Sequence, residues 1–232
     1  MKRFYKTSQV EAGGEGYLVR LDARELRTPA KNRMLLASQP LAQAIAAEWD
    51  AQDEEIVPAA MPMMGFASTA VDRVTSQRQA VIDEIAHFAE SDLLCHRADL
   101  PEDLVRRQMD AWQPLLDWCA KRYGAHLEVA NGIMPVEQPP ASLVALKRSV
   151  GEHDDSVLAG LHTLTSIYGS VIMALAVIEG RLTPLAAFDA SQLDEDFQVE
   201  RWGTDSEAET RRANLRRDAL DAARFIELHR AG

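Results

Sequence analysis

The chain has little cysteine, few aromatic residues and no long apolar run. Cys95 and Cys119 are the only thiols among 232 residues. There is no CxxC, and neither thiol has a His or Cys at zinc-ligand spacing apart from the adjacent His96, so a secreted disulfide framework is not predicted. Both cysteines are expected to be small buried hydrophobes. The longest apolar stretch, Val171 to Ile178, falls far short of the ~20 residues that cross a bilayer. The opening residues, from Met1 to Lys6, lack the apolar region of a signal peptide. No membrane insertion is expected, and the predicted location is the cytoplasm of a bacterium or, for a processed organellar protein, the matrix.

Positive charge is also scarce. Lys and Arg number 25 against 36 Asp and Glu, a formal net charge of −11. Phosphate binding needs clustered cations, so no nucleic-acid partner is predicted. An acidic surface can bind basic proteins or keep the chain soluble. With 47% hydrophobic residues, a chain of this length buries roughly 70–75% of its unfolded surface. No cofactor or metal is needed for stability, and none is predicted.

Catalytic signatures are missing too. The sequence contains no GxxxxGK[ST], no GxGxxG after a strand, no GxSxG and no HExxH. Gly13, Gly14 and Gly16 read as a hairpin turn. His87 and His96 are not at the i, i+4 spacing that places two ligands on one helix face. They read as structural, as does His162, although a histidine on a buried helix can also titrate as a switch.

What is present divides at Pro58 and Pro62. Residues 1–58 read as a small β-rich domain with one helix, and 59–232 as a helical domain, an α+β fold. A turn over Val10–Gly16 leads into a strand at Tyr17–Leu21. Asp22–Arg24 is a second turn, Glu25–Thr28 a short strand ended by Pro29, and Met34–Leu36 a further apolar patch, which together suggest an antiparallel meander. Ser38 caps a predicted helix through Leu41, Ile45 and Trp49, with Pro40 in its first turn.

Helices are predicted at Met63–Val74 and Ala80–Phe88. Another starts at Asp99-Leu100-Pro101-Glu102, capped by Asp99, and runs through Trp112 and Cys119 to Gly124, with a kink or split at Pro114. Pro135, Pro139 and Pro140 mark a loop. Ser156–Glu179 reads as the core piece, broken near Gly169 and Ser170, its second half apolar all round and hence central. The last helix opens on a capping box, Ser206-Glu207-Ala208-Glu209.

Two groups of residues stand out as candidate sites. Acids cluster at Asp53-Glu54-Glu55 and at Asp194-Glu195-Asp196 with Glu200. Paired carboxylates can do acid–base work, but such runs also form solvated faces or partner-binding patches. The four tryptophans, Trp49, Trp112, Trp118 and Trp202, fall mostly where a helix buries them, so a core role is the default. Trp202, followed by Gly203 and close to the acids, is the candidate for an interface.

Five blocks together resemble a known family. They are Leu21–Lys31 (LDxRxLxTPxK), Ala47–Gln52 (EWDxQ), Asp92–Ala98 (D-x-x-C-[YH]-R), Trp112–Trp118 with Arg122-Tyr123-Gly124 (WDPLLDWA…RYG), and Asp194–Gly203 (E-x-x-[YF]-Q-x-x-x-WG). In this order they resemble the assembly chaperones dedicated to the α subunit of the F-type ATP synthase catalytic head. Gln113 departs from the family's Asp.

The resemblance implies a small β-rich N-terminal domain, a larger all-helical C-terminal domain, no catalysis and no cofactor. It implies binding of the free F1 α subunit until the β subunit takes over. Glu195, Glu200, Trp202 and Trp49 match positions sensitive in the family and are the expected partner-binding residues. The free protein is expected to be a monomer. Two rivals stay open. One is a scaffold subunit retained in a mature complex. The other is an enzyme using two of Glu48, Asp50, Glu195 and Glu200 at the ~5–9 Å separation of glycosidase carboxylates.

Overall fold

The computed structural model describes residues 1–132, 136–203 and 205–232, so the loop expected around Pro135 lies in part outside the described residues. Strand β1 (Ser8–Ala12) pairs antiparallel with β2 (Tyr17–Leu21), and β2 with the two-residue β3 (Arg24–Glu25), giving the sheet order β1-β2-β3. The first turn is shorter than expected. Val10, Glu11 and Ala12 are strand residues opposite Val19, Leu18 and Tyr17. Only Gly13 to Gly16 turn, closed by the Gly13 N–H donating to the Gly16 carbonyl at 2.8 Å. Gly14 supplies the positive φ, +64°. Gly16 serves another purpose: a Cβ there would lie 2.5 Å from the Leu36 carbonyl oxygen.

The next strand also stops early. Leu26 bonds back to Val19, and Thr28 to Lys31 form a turn in which the Lys31 N–H donates to the Thr28 carbonyl at 2.8 Å. Asp22, at φ 52°, accepts the N–H groups of Lys6 and Thr7, as its place in a predicted turn requires.

Helix α1 (Gln39–Asp50) begins as predicted, with the Ser38 side chain accepting from the Leu41 N–H and Pro40 in the first turn. It packs on β1 and β2. Helix α2 (Pro62–Thr69) has no side-chain cap of its own. Glu48 replaces it, accepting from the N–H groups of Met63 and Met64 at 2.7 and 2.8 Å. A π-helical turn (Ala70–Val74) leads to α3 (Thr75–His87), which leaves helical geometry at Gln77.

The chain forms two compact units. The first comprises Met1–Arg78, Asp154–Gly160 and Asp221–Gly232. Within it Phe225 stacks on Phe66 with ring centroids 5.3 Å apart.

The second unit, Gln79–His153 with Leu161–Leu220, is mainly helical, as expected. It also holds a two-residue parallel pair, β4 (His96–Arg97) with β5 (Ala130–Asn131). Helix α4 (Glu102–Tyr123) runs unbroken past Pro114 and ends on Gly124 at φ 68°. The expected split is absent. Pro114 is exposed and costs one backbone donor, while Trp112, Leu115, Leu116 and Cys119 on either side of it are buried. The N-cap is Pro101, whose extended backbone starts the helix, so Asp99 stands two residues too early to cap it.

Helix α5 (Pro140–Gly151) follows. Helix α6 (Asp155–Tyr168) and α7 (Val171–Ile178) are separated as predicted, by Gly169 at φ 63° and the N-cap Ser170. Every residue from Val171 to Ala176 is fully buried. Helices α8 (Pro184–Ser191), α9 (Leu193–Trp202) and α10 (Ser206–Arg230) complete the chain. The cap of α10 is Asp205 rather than Ser206, its carboxylate accepting from the Ala208 N–H at 2.8 Å.

Asp92 is buried at the break between α6 and α7. Its carboxylate accepts the N–H groups of Leu94 and Ile172. Burial drives its pKa up to about 6, against the pull of the Ser170 hydroxyl and the neighbouring backbone N–H groups. Burial likewise raises Cys95 and Cys119 to about 12, keeping both as thiols. Both are free and buried, as expected.

Two outcomes are expected. Gly16→Ala lowers stability by about 1–3 kcal/mol in urea titrations, because the new methyl must displace backbone. The second concerns pH. Folded Asp92 holds its proton more tightly than the unfolded chain does, at ~3.9. Its ionisation therefore removes stability as pH rises from about 4 through about 6. The stability advantage of the wild type over Asp92→Asn should shrink across that window, and a difference flat with pH would contradict this.

Candidate functional site

Helix α9 presents different residues on different sides. Glu195, Val199 and Trp202 recur at four and three residues and share a face. Glu200, five residues after Glu195, points about 140° away. The structure separates them accordingly. Glu195, Val199 and Trp202 line a cleft of about 830 Å³ between α9 and α10. Leu215 and Ile167 add apolar surface to it, and Glu209 and Arg211 add charge. Trp202 is 77% exposed.

Most of the acidic run is engaged. Asp194 accepts from the Gln108 side chain at 2.7 Å, and Asp196 from both terminal nitrogens of Arg212. Glu200 accepts from Arg107 at 2.9 Å, and this bond pulls its pKa down and raises that of Arg107. Glu195 makes no hydrogen bond or ion pair among the described residues, although the Arg212 charge is close enough to feel it. The cleft thus offers an uncovered indole and an uncommitted carboxylate on one face, two helical turns apart. Such a pair suits a protein surface that combines an apolar patch with a cation.

The face is braced from beneath. Phe197 is buried, with the guanidinium of Arg201 4.2 Å and that of Arg107 5.3 Å from its ring centroid. Arg201 also pairs with Asp103 at 2.9 Å. These contacts fix α9 on α4 and leave Trp202 on the open side.

Trp49 lies in the first unit, at the end of α1. It is 7% exposed and meets the Tyr5 ring edge-on at 5.5 Å. The Tyr5 hydroxyl donates to the Trp49 carbonyl, while the indole N–H has no partner among the described residues. Its bulk therefore reads first as core.

The other carboxylates singled out as possible catalysts serve the backbone. Glu48 caps α2, and Asp50 accepts from the Ser8 N–H at 3.1 Å. Burial raises the pKa of Glu48, opposed by its bonds to the Met64 and Met63 N–H groups. His162 pairs with Glu84 at 3.2 Å and His87 with Glu90 at 3.2 Å. Among the described residues no three His, Cys, Asp or Glu side chains group so as to hold a metal ion, and no helix is long and apolar enough to cross a membrane.

Sequence reasoning grouped Glu195 with Glu200. The helical period was the available signal that they diverge, and it also marks Val199 as the missed third member of the face. Trp202→Ala is expected to leave stability within about 0.5 kcal/mol. Trp49→Ala should cost about 3–5 kcal/mol through the cavity it leaves. Chemical denaturation of the two variants checks the contrast.

Known proteins share this fold. A crystal structure of Atp12 from Paracoccus denitrificans superposes with a TM-score of 0.95 at 41% identity, covering 99% of this chain and 98% of that one. The Atu1473 protein of Agrobacterium tumefaciens gives 0.91 at 42% identity, over 98% and 85% of the respective chains. The mitochondrial protein atp12 of Schizosaccharomyces pombe is 22% identical over 215 residues, 88% of this chain and 74% of its own. The family described as ATP12 chaperone protein matches residues 2–120. On this likeness along nearly its whole length, the chain belongs to the ATP12 chaperone family.

Proposed function

We propose that this chain is a cytoplasmic holding chaperone for the free α subunit of the ATP synthase F1 head, monomeric when unoccupied. Its membership of the ATP12 family carries the reading, and the exposed Trp202 on one face with an uncommitted Glu195 gives it a surface. A free α subunit exposes the area it later buries against β, and large exposed apolar patches aggregate. The chaperone must cover that area and then yield it to a tighter partner. A face with one large aromatic, modest apolar surroundings and a rim of charge favours moderate affinity over permanent association.

Glu195 and Trp202 are the residues we assign to client contact on this unit. Glu200 contributes indirectly, since its carboxylate already holds Arg107. A scaffold role would require the chain to persist in the mature complex, whereas a chaperone leaves it.

Co-expression with the cognate α subunit should raise the soluble α fraction and give a complex on size exclusion that dissolves when β is added. Glu195→Lys should weaken that complex about ten-fold or more, since opposed charges at an interface cost several kcal/mol, with an unchanged melting temperature. No rise in soluble α and no complex would reject the reading, and retention beside β in stable stoichiometry would favour a scaffold.

A further inference from the structure

A second concavity lies wholly within the first unit. It is a groove of about 980 Å³, lined by Leu21, Leu26, Trp49, Ile56, Met61 and Met64, each less than a tenth exposed. Phe4, half exposed, and Pro58 also line it. Such a surface is largely apolar yet open to solvent, the character of a recognition groove.

Charge and hydrogen bonding say what fits. Three cations, Arg24, Arg27 and Lys31, line the groove. Among the described residues none of them pairs with a carboxylate; Arg27 donates only to the Lys31 carbonyl, at 3.0 Å. The one acid in the lining, Glu25, is held by Arg33 at 3.1 Å. In a chain of net charge −11 this is a local positive excess. Trp49 Nε1 and Ser68 Oγ, on two residues of the lining, are buried without a hydrogen-bond partner among the described residues. Arg24 and Glu25 belong to β3, one of the two edge strands of the sheet, beside which an extended chain can lie.

We infer that this groove is a docking site for an extended apolar segment of the client protein flanked by Asp or Glu. The apolar side chains enter between Leu26, Trp49 and Met64, and the flanking acids meet Arg24, Arg27 and Lys31. Trp49 is then both core and contact: its bulk supports α1 and one side of its ring faces the guest. The inference rests on the client reading above and adds a second point of grip, with charge opposite to that of Glu195.

The test uses the full chain and the cognate α subunit. Gly65 lines the groove on α2, and a Cβ built there meets nothing within 4 Å. Gly65→Trp should therefore fill the groove without unfolding the protein. That variant and the double variant Arg24→Glu/Lys31→Glu should each weaken the α complex about ten-fold or more, with unchanged melting curves. A photo-crosslinker at Thr69, another lining residue, should capture an apolar stretch of α next to Asp or Glu. Unchanged affinity in both variants, or a crosslink to a second copy, to the chain itself or to a basic segment, overturns the inference.

An arm without client separates the two readings. The anionic apolar dye 8-anilinonaphthalene-1-sulfonate should brighten on the wild type. Gly65→Trp should abolish that signal and the double variant should weaken it. If the wild type makes no complex with α, the client reading fails, and the dye decides whether the groove takes acidic apolar ligands. A signal that both variants leave intact refutes it.

Discussion

A carboxylate with no access to water must be solvated by the protein, and Asp92 is solvated by the start of a helix. The N-terminus of α7 offers unpaired N–H groups and the positive end of the helix dipole, and Asp92 occupies it through Ile172. Its bond to the Leu94 N–H shapes the turn that carries Leu94 and Cys95 into the core. Much of the second unit follows from this anchor. Helix α7, apolar on every side, must be surrounded, and α4 and α8 pack on it. Helix α9 packs on both α4 and α8. The open side of α9, with Trp202 and Glu195, is thus positioned by a chain of contacts that begins at a single buried acid.

Much of the fold was legible because its signals are local. Ser38 and Pro40 mark a helix start by their own chemistry, and Gly169-Ser170 a break by theirs. The failures come from contacts between residues distant in sequence or from competition between neighbours. Glu48 caps a helix from fifteen residues before Met63, which no local pattern reveals. Asp99 had the right chemistry for a cap, but the extended backbone of Pro101 sets the helix start instead. Pro114 broke a local rule and was overruled by buried side chains on both sides of it. The candidate site was half legible: Trp202 stood out as an aromatic next to acids, whereas which acids remain uncommitted depended on partners such as Arg107, 93 residues from Glu200.

The blocks that carry the family resemblance mostly hold the fold together. Asp22 ties its turn to Lys6 and Thr7, and Thr28 donates to Asp72 at 2.6 Å. Gln52 accepts from the Val57 N–H at 2.7 Å. Arg97 donates to the Leu94 carbonyl at 2.7 Å, with its guanidinium over the Trp112 ring, and the Trp112 N–H donates to the Ala190 carbonyl at 2.9 Å. Where such a contact is buried, as at Arg97 and Trp112, few replacements are tolerated, because a lost partner leaves the other group unsatisfied at about 1–3 kcal/mol. An exposed binding face has no such constraint. This is why motif matching recognises the scaffold more readily than the grip.

The first unit draws on three separated stretches of chain, the last of them Asp221–Gly232. Phe225, fully buried against Phe66, comes from that final stretch, and the Ser38 hydroxyl donates to the Leu228 carbonyl. The sheet and its first helices therefore leave the ribosome before part of their hydrophobic interior has been made. During synthesis the apolar surface around Phe66 waits uncovered for Phe225. Closure of the first unit is tied to the arrival of Asp221–Gly232 and not to the emergence of the sheet.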